Sequence, residues 1–508
     1  MTLSCFVSCE DQKKASTPAS QSTPKTNDDT PTGDNNIPEN EKINLDLESI
    51  DHEGAVVSIV HWVPQFDCVE FGMELDEING DAVNDAIYKR NMYTETELGI
   101  DIDWVEMDYT YVKTKQLADK IRARLADPST PVDVIAAQVK SMPCFITEGL
   151  LVDLNAYGDT LDLDKSWWPD DCKDALAVKG KNYFVSGDIS ANLLRMMTVL
   201  FVNKRTLAAK GHEYEPLMQM ILEYEWTLDD LISITASTYE DLDAKFPGPS
   251  TGDKFGLVTT AVHSDAIFGG LGYKFMVKSN KENEAFRFSN HIISETAFNY
   301  VTTMKNWSEN SDFWIDSEED YYEDIFANGD SLFLLHRAWF GFELQKTEIQ
   351  YAVIPTPALD KDQKEYFTTI GNQFSAYGIC TSSPDYDIAA QTMQTLGYFA
   401  MSTTTPALFE VSFQGKFSKD DYTIKMFDII RESVAFDVGR IYDYYIALES
   451  GNAATTQGLL ETLLTYVVSN PIRYGTNFTF HSVGDPVRRR FNSYVDSANQ
   501  KLMNYVDN

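Results

Sequence analysis

Ala55-Val-Val-Ser-Ile-Val-His-Trp62, Ile100-Asp-Ile-Asp-Trp-Val105 and Val132-Asp-Val-Ile-Ala-Ala137 are three short apolar runs, and their spacing decides the fold. Between the first two, Asp81 to Leu98 reads as a helix, with Gly99 leading into the second run; between the second and third, Thr114 to Leu125 reads as an amphipathic helix. A further helical stretch ends at Gly149-Leu-Leu-Val-Asp-Leu154. Strands of this length alternating with helices call for a parallel sheet covered on both faces. No GxGxxG turn follows the first strand, which argues against a dinucleotide-binding fold. In open sheets of this kind, ligands sit outside the carboxyl ends of the strands.

The pattern then restarts. Met196 to Asn203 reads as a strand and Lys204 to Gly211 as a short helical turn. Trp226-Thr227-Leu-Asp-Asp-Leu231 looks like a helix start, with Thr227 as N-cap, Asp229 and Asp230 in the first turn, and Trp226 as a structural staple ahead of it. Further strands are expected at Phe255 to Ala261, Ser331 to Leu335, Gln350 to Ile354 and Ser375 to Cys380, and helices at Ser289 to Met304, Tyr386 to Ser402 and Asp485 to Val506. No internal repeat is visible.

At the other end, Phe6-Val7-Ser8-Cys9 closes a short apolar run, and Glu10 to Lys42 is polar almost throughout. Such a segment has too little to bury against the entropy of ordering, so residues 10–45 read as a disordered tether. An apolar run, a small residue, a cysteine and a tether are the layout of a bacterial lipoprotein, with residues 1–9 as signal remnant and lipobox and Cys9 as the acylated thiol. Cys5, after Thr2-Leu3-Ser4, is the rival acceptor. The expected location is the extracytoplasmic face of the cell membrane.

The 508 residues carry a net charge of −37, from 78 acids against 41 bases, which excludes nucleic acid as a partner. Six cysteines at 5, 9, 68, 144, 172 and 380 form no CxxC pair, and the seven histidines lack metal spacing. No metal or other cofactor is expected. There is no GxSxG elbow and no HExxH, so nothing marks an enzyme.

Four ordered segments carry a family resemblance. Pro131-Val-Asp-Val-Ile-Ala-Ala-Gln is followed by Glu148-Gly-Leu-Leu-Val-Asp-Leu. Lys179-Gly-Lys-Asn-Tyr-Phe-Val-Ser-Gly-Asp precedes Thr198-Val-Leu-Phe-Val-Asn-Lys-Arg-Thr-Leu. Tyr321 to Trp339 contains Ile325-Phe-Ala-Asn-Gly-Asp-Ser-Leu-Phe-Leu, and Gln350-Tyr-Ala-Val-Ile-Pro-Thr-Pro closes the series. Together they resemble the extracellular solute-binding proteins of bacterial ABC importers, the broad group that includes maltodextrin-binding protein. The likeness runs from Gly54 to the C-terminus. Ala136-Ala137 departs from it, standing where sugar binders often carry an aromatic residue.

The resemblance implies an α/β, two-lobed, periplasmic-binding-protein-like (type II) fold with a hinge and an interlobe cleft. Lobe one is expected to hold 50–192 plus 374–408, and lobe two 193–373 plus 409–508, with crossings near Asn192–Thr198, Tyr366–Ser375 and Thr404–Gly415. The implied function is capture of a carbohydrate, an oligosaccharide, by a monomeric, membrane-anchored binder that delivers it to permease subunits. A surface-anchored glycan-degrading enzyme, or a binder of a cationic solute such as a polyamine, are the alternatives.

Sugars offer apolar CH faces and hydroxyl edges, so their sites pair aromatic platforms with hydrogen-bonding side chains. In lobe one the candidates are His61 and Trp62 after the first strand and Gln138, Lys140 and Ser141 after the third. In lobe two they are His263 and Asp265, with Arg337 and Trp339 after the 331–335 strand. Asp188 and the pair Asn372 and Gln373 stand at the two crossovers. The tyrosines Tyr442, Tyr444 and Tyr445 either line the cleft or pack lobe two.

Overall fold

The structure, a computed structural model, describes residues 51–64, 69–71, 78–107, 109, 113–242, 249–289, 295–316, 321–414, 421–449, 493 and 495–506. Cys9 and the tether lie outside the described residues, as do Cys5 and Cys68.

Each lobe is built on one sheet. The first contains β1 (Ala55–Trp62), β2 (Ile100–Met107) and β3 (Val134–Gln138). The second contains β4 (Thr198–Asn203), β5 (Phe255–Thr260), β8 (Phe313–Asp316), β9 (Ser331–Arg337) and β10 (Tyr351–Ile354), in the order β10-β4-β9-β5-β8. A small hairpin of β6 (Met276–Lys278) and β7 (Phe286–Phe288) projects between β5 and β8 in sequence. The chain returns to the first sheet as β12 (Ser375–Ile379), and β11 (Thr368–Thr369) pairs with β13 (Val434–Ala435) beside the return.

The first sheet has the order β12-β3-β1-β2, with β1, β2 and β3 parallel as the alternation requires. It is not parallel throughout, because β12 enters from lobe two and runs antiparallel to β3, Ser375 opposite Gln138. All residues of β3, β4, β5 and β12 are buried, as expected of strands covered on both faces.

Two boundaries differ from the expected ones for a local reason. β3 begins at Val134, not Val132, because Asp133 makes its own pair with β1: its N–H donates to the Ser58 carbonyl and its carboxylate accepts from the Ser58 N–H. β4 begins at Thr198, not Met196, because the carbonyls of Met196 and Met197 accept from Gly371 and Ala338. The expected 289–304 helix is described as Glu295–Glu309.

Capping was the most legible feature. Asp81 accepts from the N–H groups of Val83 and Asn84 to start the helix Ala82–Leu98, which ends on Gly99 in the left-handed region at φ 60°. Thr227 and Asp230 form a reciprocal capping box at Leu228–Thr235. The Trp226 indole ahead of it is buried and donates to the Pro355 carbonyl.

The lobes are joined where two antiparallel segments lie side by side. The outgoing one pairs Val185 with Tyr377, then passes through the short helix Ala191–Arg195 into β4; the returning one pairs Ile370 with Met197 and leads into β12. Arg90, on a lobe-one helix and with no exposed surface, grips this region: it donates to the carbonyls of Ile189 and Glu70 and to Asn91 Oδ1. The buried Glu70 carboxylate in turn accepts from Ser190 and Asn192, both on the outgoing segment.

Candidate ligand-binding site at the lobe junction

The carboxyl ends of β1 and β3 face the junction, but their side chains are already committed. Trp62 is 1% exposed, and its Nε1 donates to Ser375 Oγ at 2.8 Å, so the ring belongs to the core of lobe one. His61 stacks on Phe71 at 4.2 Å and lies within hydrogen-bond distance of the Trp62 carbonyl. Burial pulls its imidazole down to about 4 from the usual 6.5.

A folded-state value below the unfolded one means that acid favours the unfolded chain. The associated stability is complete above pH 6.5 and is lost as pH falls toward 4, a loss of about 3 kcal/mol. His61→Gln is expected to show a shallower fall in unfolding free energy between those pH values than the parent. Equal slopes would remove His61 from the acid response.

Gln138 ties lobe one to the return crossover. Its Oε1 accepts from the Lys140 N–H, closing the turn Val139–Ser141, and its Nε2 donates to the Asn372 carbonyl at 2.7 Å. Ser141 bonds Tyr109 and Thr114, and both Lys140 and Ser141 are buried where the helix Val438–Glu449 packs on the turn. The three tyrosines of that helix, Tyr442, Tyr444 and Tyr445, are all buried.

In lobe two, the end of β9 carries a compact aromatic and imidazole group. His336 bonds Glu323 at 2.9 Å and Tyr322 at 2.8 Å, and its ring lies 4.5 Å from that of His263. His263 Nδ1 has no hydrogen-bond partner among the described residues. Burial first, then the charges of His336, Arg337 and Arg440, hold His263 well below its ordinary range, so it stays neutral.

The Arg337 side chain packs against Gly371, where a Cβ would come within 2.5 Å of Nε. A side chain at 371 would force the arginine to shift. Trp339 is half-buried; its backbone N–H donates to Arg195, and its ring meets His336 and Phe340 edge-on. Asp265 falls on the helix Ala261–Gly270, with its side chain outside the described residues.

Two cavities flank the crossovers. One has walls of Tyr273, Phe275, Phe367, Phe374 and Phe436. Its polar groups are Asn372, Lys274, Asp437 and Arg440. Asp437 accepts from the N–H groups of Phe275, Met276 and Gly439, and Lys274 pairs with Asp171 at 3.3 Å. Arg440, Arg337 and the Asn372–Gln138 bond place this cavity next to the strand-end residues of both lobes.

The second cavity contains Asp188 paired with Arg431. Burial raises the Asp188 carboxyl above the usual carboxylate range, against the opposing pull of Arg431.

Of the sequence candidates, the structure gathers Gln138, His263, Arg337, Trp339, Asn372 and the adjoining half-buried Gln373 at one junction. His61 and Trp62 are in the lobe-one interior, and Asp188 is in the other cavity. Sequence reasoning did not name the cavity residues Tyr273, Phe275, Phe367, Phe374, Phe436 and Arg440. The one usable signal was Asp437 ahead of Gly439, a helix start that brings Arg440 to the crossover.

The thiols of Cys144 and Cys172 are pushed by burial to about 11 and about 12, and so stay protonated. Among the described residues no cluster has metal-ligating composition, and no helix is long and apolar enough to cross a membrane.

Comparison with known proteins defines the class. Residues 76–382 match the bacterial extracellular solute-binding protein family, and the chain belongs to it. Comparison with curated proteins gives no match. Among solved structures, the chain is similar to the galacto-N-biose-/lacto-N-biose I-binding protein of the Bifidobacterium longum ABC transporter, in complex with lacto-N-biose. The TM-score is 0.52 at 14% identity, over 83% of this chain and 97% of that one. It also aligns with the GacH receptor of Streptomyces glaucescens at TM-score 0.49 and 14% identity, over 89% and 99% of the two chains. At 14% identity the first likeness establishes the fold, the two-lobed periplasmic-binding-protein architecture with a hinge and a cleft.

Proposed function

We propose that this protein captures a carbohydrate, an oligosaccharide, at the lobe junction and presents it unaltered to the permease of an ABC importer, from the outer face of a membrane to which Cys9 anchors it. The observation that carries this reading is the composition of the first cavity, where five aromatic rings meet Asn372 and Arg440 beside the crossovers. Aromatic faces take the CH surfaces of a sugar, and the amide and guanidinium take its hydroxyls.

The lobes are taken as 50–192 plus 374–408 and 193–373 plus 409–508. A solute held by both binds the closed arrangement better than the open one and shifts the population toward it. The permease reads that change as a new relative placement of the lobe tips.

Thermal-shift screening against a glycan and polyamine panel is the deciding experiment. Stabilisation by one or more oligosaccharides, without turnover of the sugar, is the expected result. Stabilisation by spermidine and by no sugar would overturn the carbohydrate assignment, and release of shorter sugars would make the protein an enzyme.

A further inference from the structure

The second cavity gives Asp188 a different role from the one its position in the sequence suggested. Asp188 is fixed to lobe one: its N–H donates to the Trp167 carbonyl, and the neighbouring Trp168 indole donates to Gln394. Arg431 belongs to the helix Asp421–Glu432, which packs on β10 and on the helix Tyr214–Leu222 of lobe two.

Between them runs a forked ion pair, Nε to Oδ1 at 3.0 Å and Nη2 to Oδ2 at 2.6 Å, with Nη2 also donating to the Ser166 carbonyl at 2.8 Å. The carboxylate side chain is 4% exposed and the guanidinium 19%. Around the pair the packing is incomplete, and the cavity is walled by Ser166, Trp168 and Pro169 from one side and Glu432 and Val434 from the other.

A rotation of one lobe against the other therefore changes this cavity, and it stretches or breaks the fork. We propose that Asp188 and Arg431 are positioning residues that latch the lobes in the arrangement seen here, so that their pairing, without any contact to solute, sets how readily the junction cavity opens and closes.

This rests on the reading that solute is held between the lobes. A bidentate pair shielded from water is strong in one geometry and costly to leave half-made, which gives a discrete state and not a graded one. The apparent affinity of any solute then scales with the fraction of molecules in the competent arrangement.

The test uses the whole protein without solute. Spin labels at Val56→Cys in lobe one and Leu242→Cys in lobe two, both more than half exposed, report the distance between lobes. Cys5, Cys9 and Cys68 are replaced by serine, and the buried Cys144, Cys172 and Cys380 are left in place.

The latched protein is expected to give one narrow distance distribution. Asp188→Asn and Arg431→Gln are each expected to add a second distance, and the double variant to match the singles. Arg431→Lys, which keeps the charge but loses the fork, is expected to fall between.

Melting curves run beside these measurements separate a latch from a brace. Variants that melt earlier yet keep the parental distribution while folded would overturn the proposal, as would variants that change neither. No sugar is involved, so a negative result here leaves the carbohydrate reading standing. A blank glycan panel, conversely, leaves the latch standing.

Discussion

Arg90→Met is expected to cost about 3–5 kcal/mol of unfolding free energy, the range for breaking a buried charged network by removing one partner. The arginine has no exposed surface and satisfies the Ile189 and Glu70 carbonyls and Asn91 Oδ1 at once. Methionine fills much of the volume but takes the arginine's donors from all three acceptors, leaving Ile189 only the long bond from the Tyr377 hydroxyl, and leaves the Glu70 carboxylate with less compensating charge. Burial already raises Glu70 above the usual carboxylate range, with Arg195 and Arg90 among the groups opposing it. Chemical denaturation of parent and variant measures the difference. A loss below about 1 kcal/mol would mean that the network is replaceable packing and not a clasp on the crossover.

The second large effect is on binding. Phe367 is half-buried on the wall of the junction cavity, so it can offer a ring face to a sugar and still be truncated without opening the core. Stacking of this kind is worth roughly 1–3 kcal/mol, so Phe367→Ala is expected to weaken binding of a stabilising oligosaccharide by about 5- to 150-fold. Trp339→Ala is expected to do the same if its ring serves the solute. Its edge-on contacts with His336 and Phe340 provide the competing outcome, a core loss of about 3–5 kcal/mol with unchanged affinity. Affinity and melting temperature measured on each variant assign the two rings separately. Unchanged affinity in Phe367→Ala would move the solute away from this cavity.

The sequence was legible wherever the cause was local. Thr227 announces its helix start within four residues, and the alternating strands and helices declare two α/β lobes. Side-chain fates that depend on distant partners were not legible. Trp62 reads as a platform at a strand end, but its indole is claimed by Ser375, on a strand that enters from the other lobe. Arg90 sits beside Lys89 in a run that looks like a solvated helix face, and only the folded crossover shows that it points inward. Asp188 lies at the expected crossover, but its environment is set by Arg431, on a helix far along the chain. The aromatic wall of the junction cavity comes from three separate stretches, none of which reads as a site alone.

The antiparallel pairing of β12 with β3 also has a consequence for how the molecule is made. Lobe two takes its five-stranded sheet from one uninterrupted length of chain, from β4 to β10. Lobe one begins first but finishes later, because Ser375 to Ile379 must emerge before β3 gains its outer neighbour. Until then β3 is an open edge, apolar from Val134 to Ala137, the kind of surface that pairs with other chains. Closure over so long a separation is slow. A chain emerging from its N-terminus therefore has all five strands of the lobe-two sheet in hand before the lobe-one sheet can gain β12.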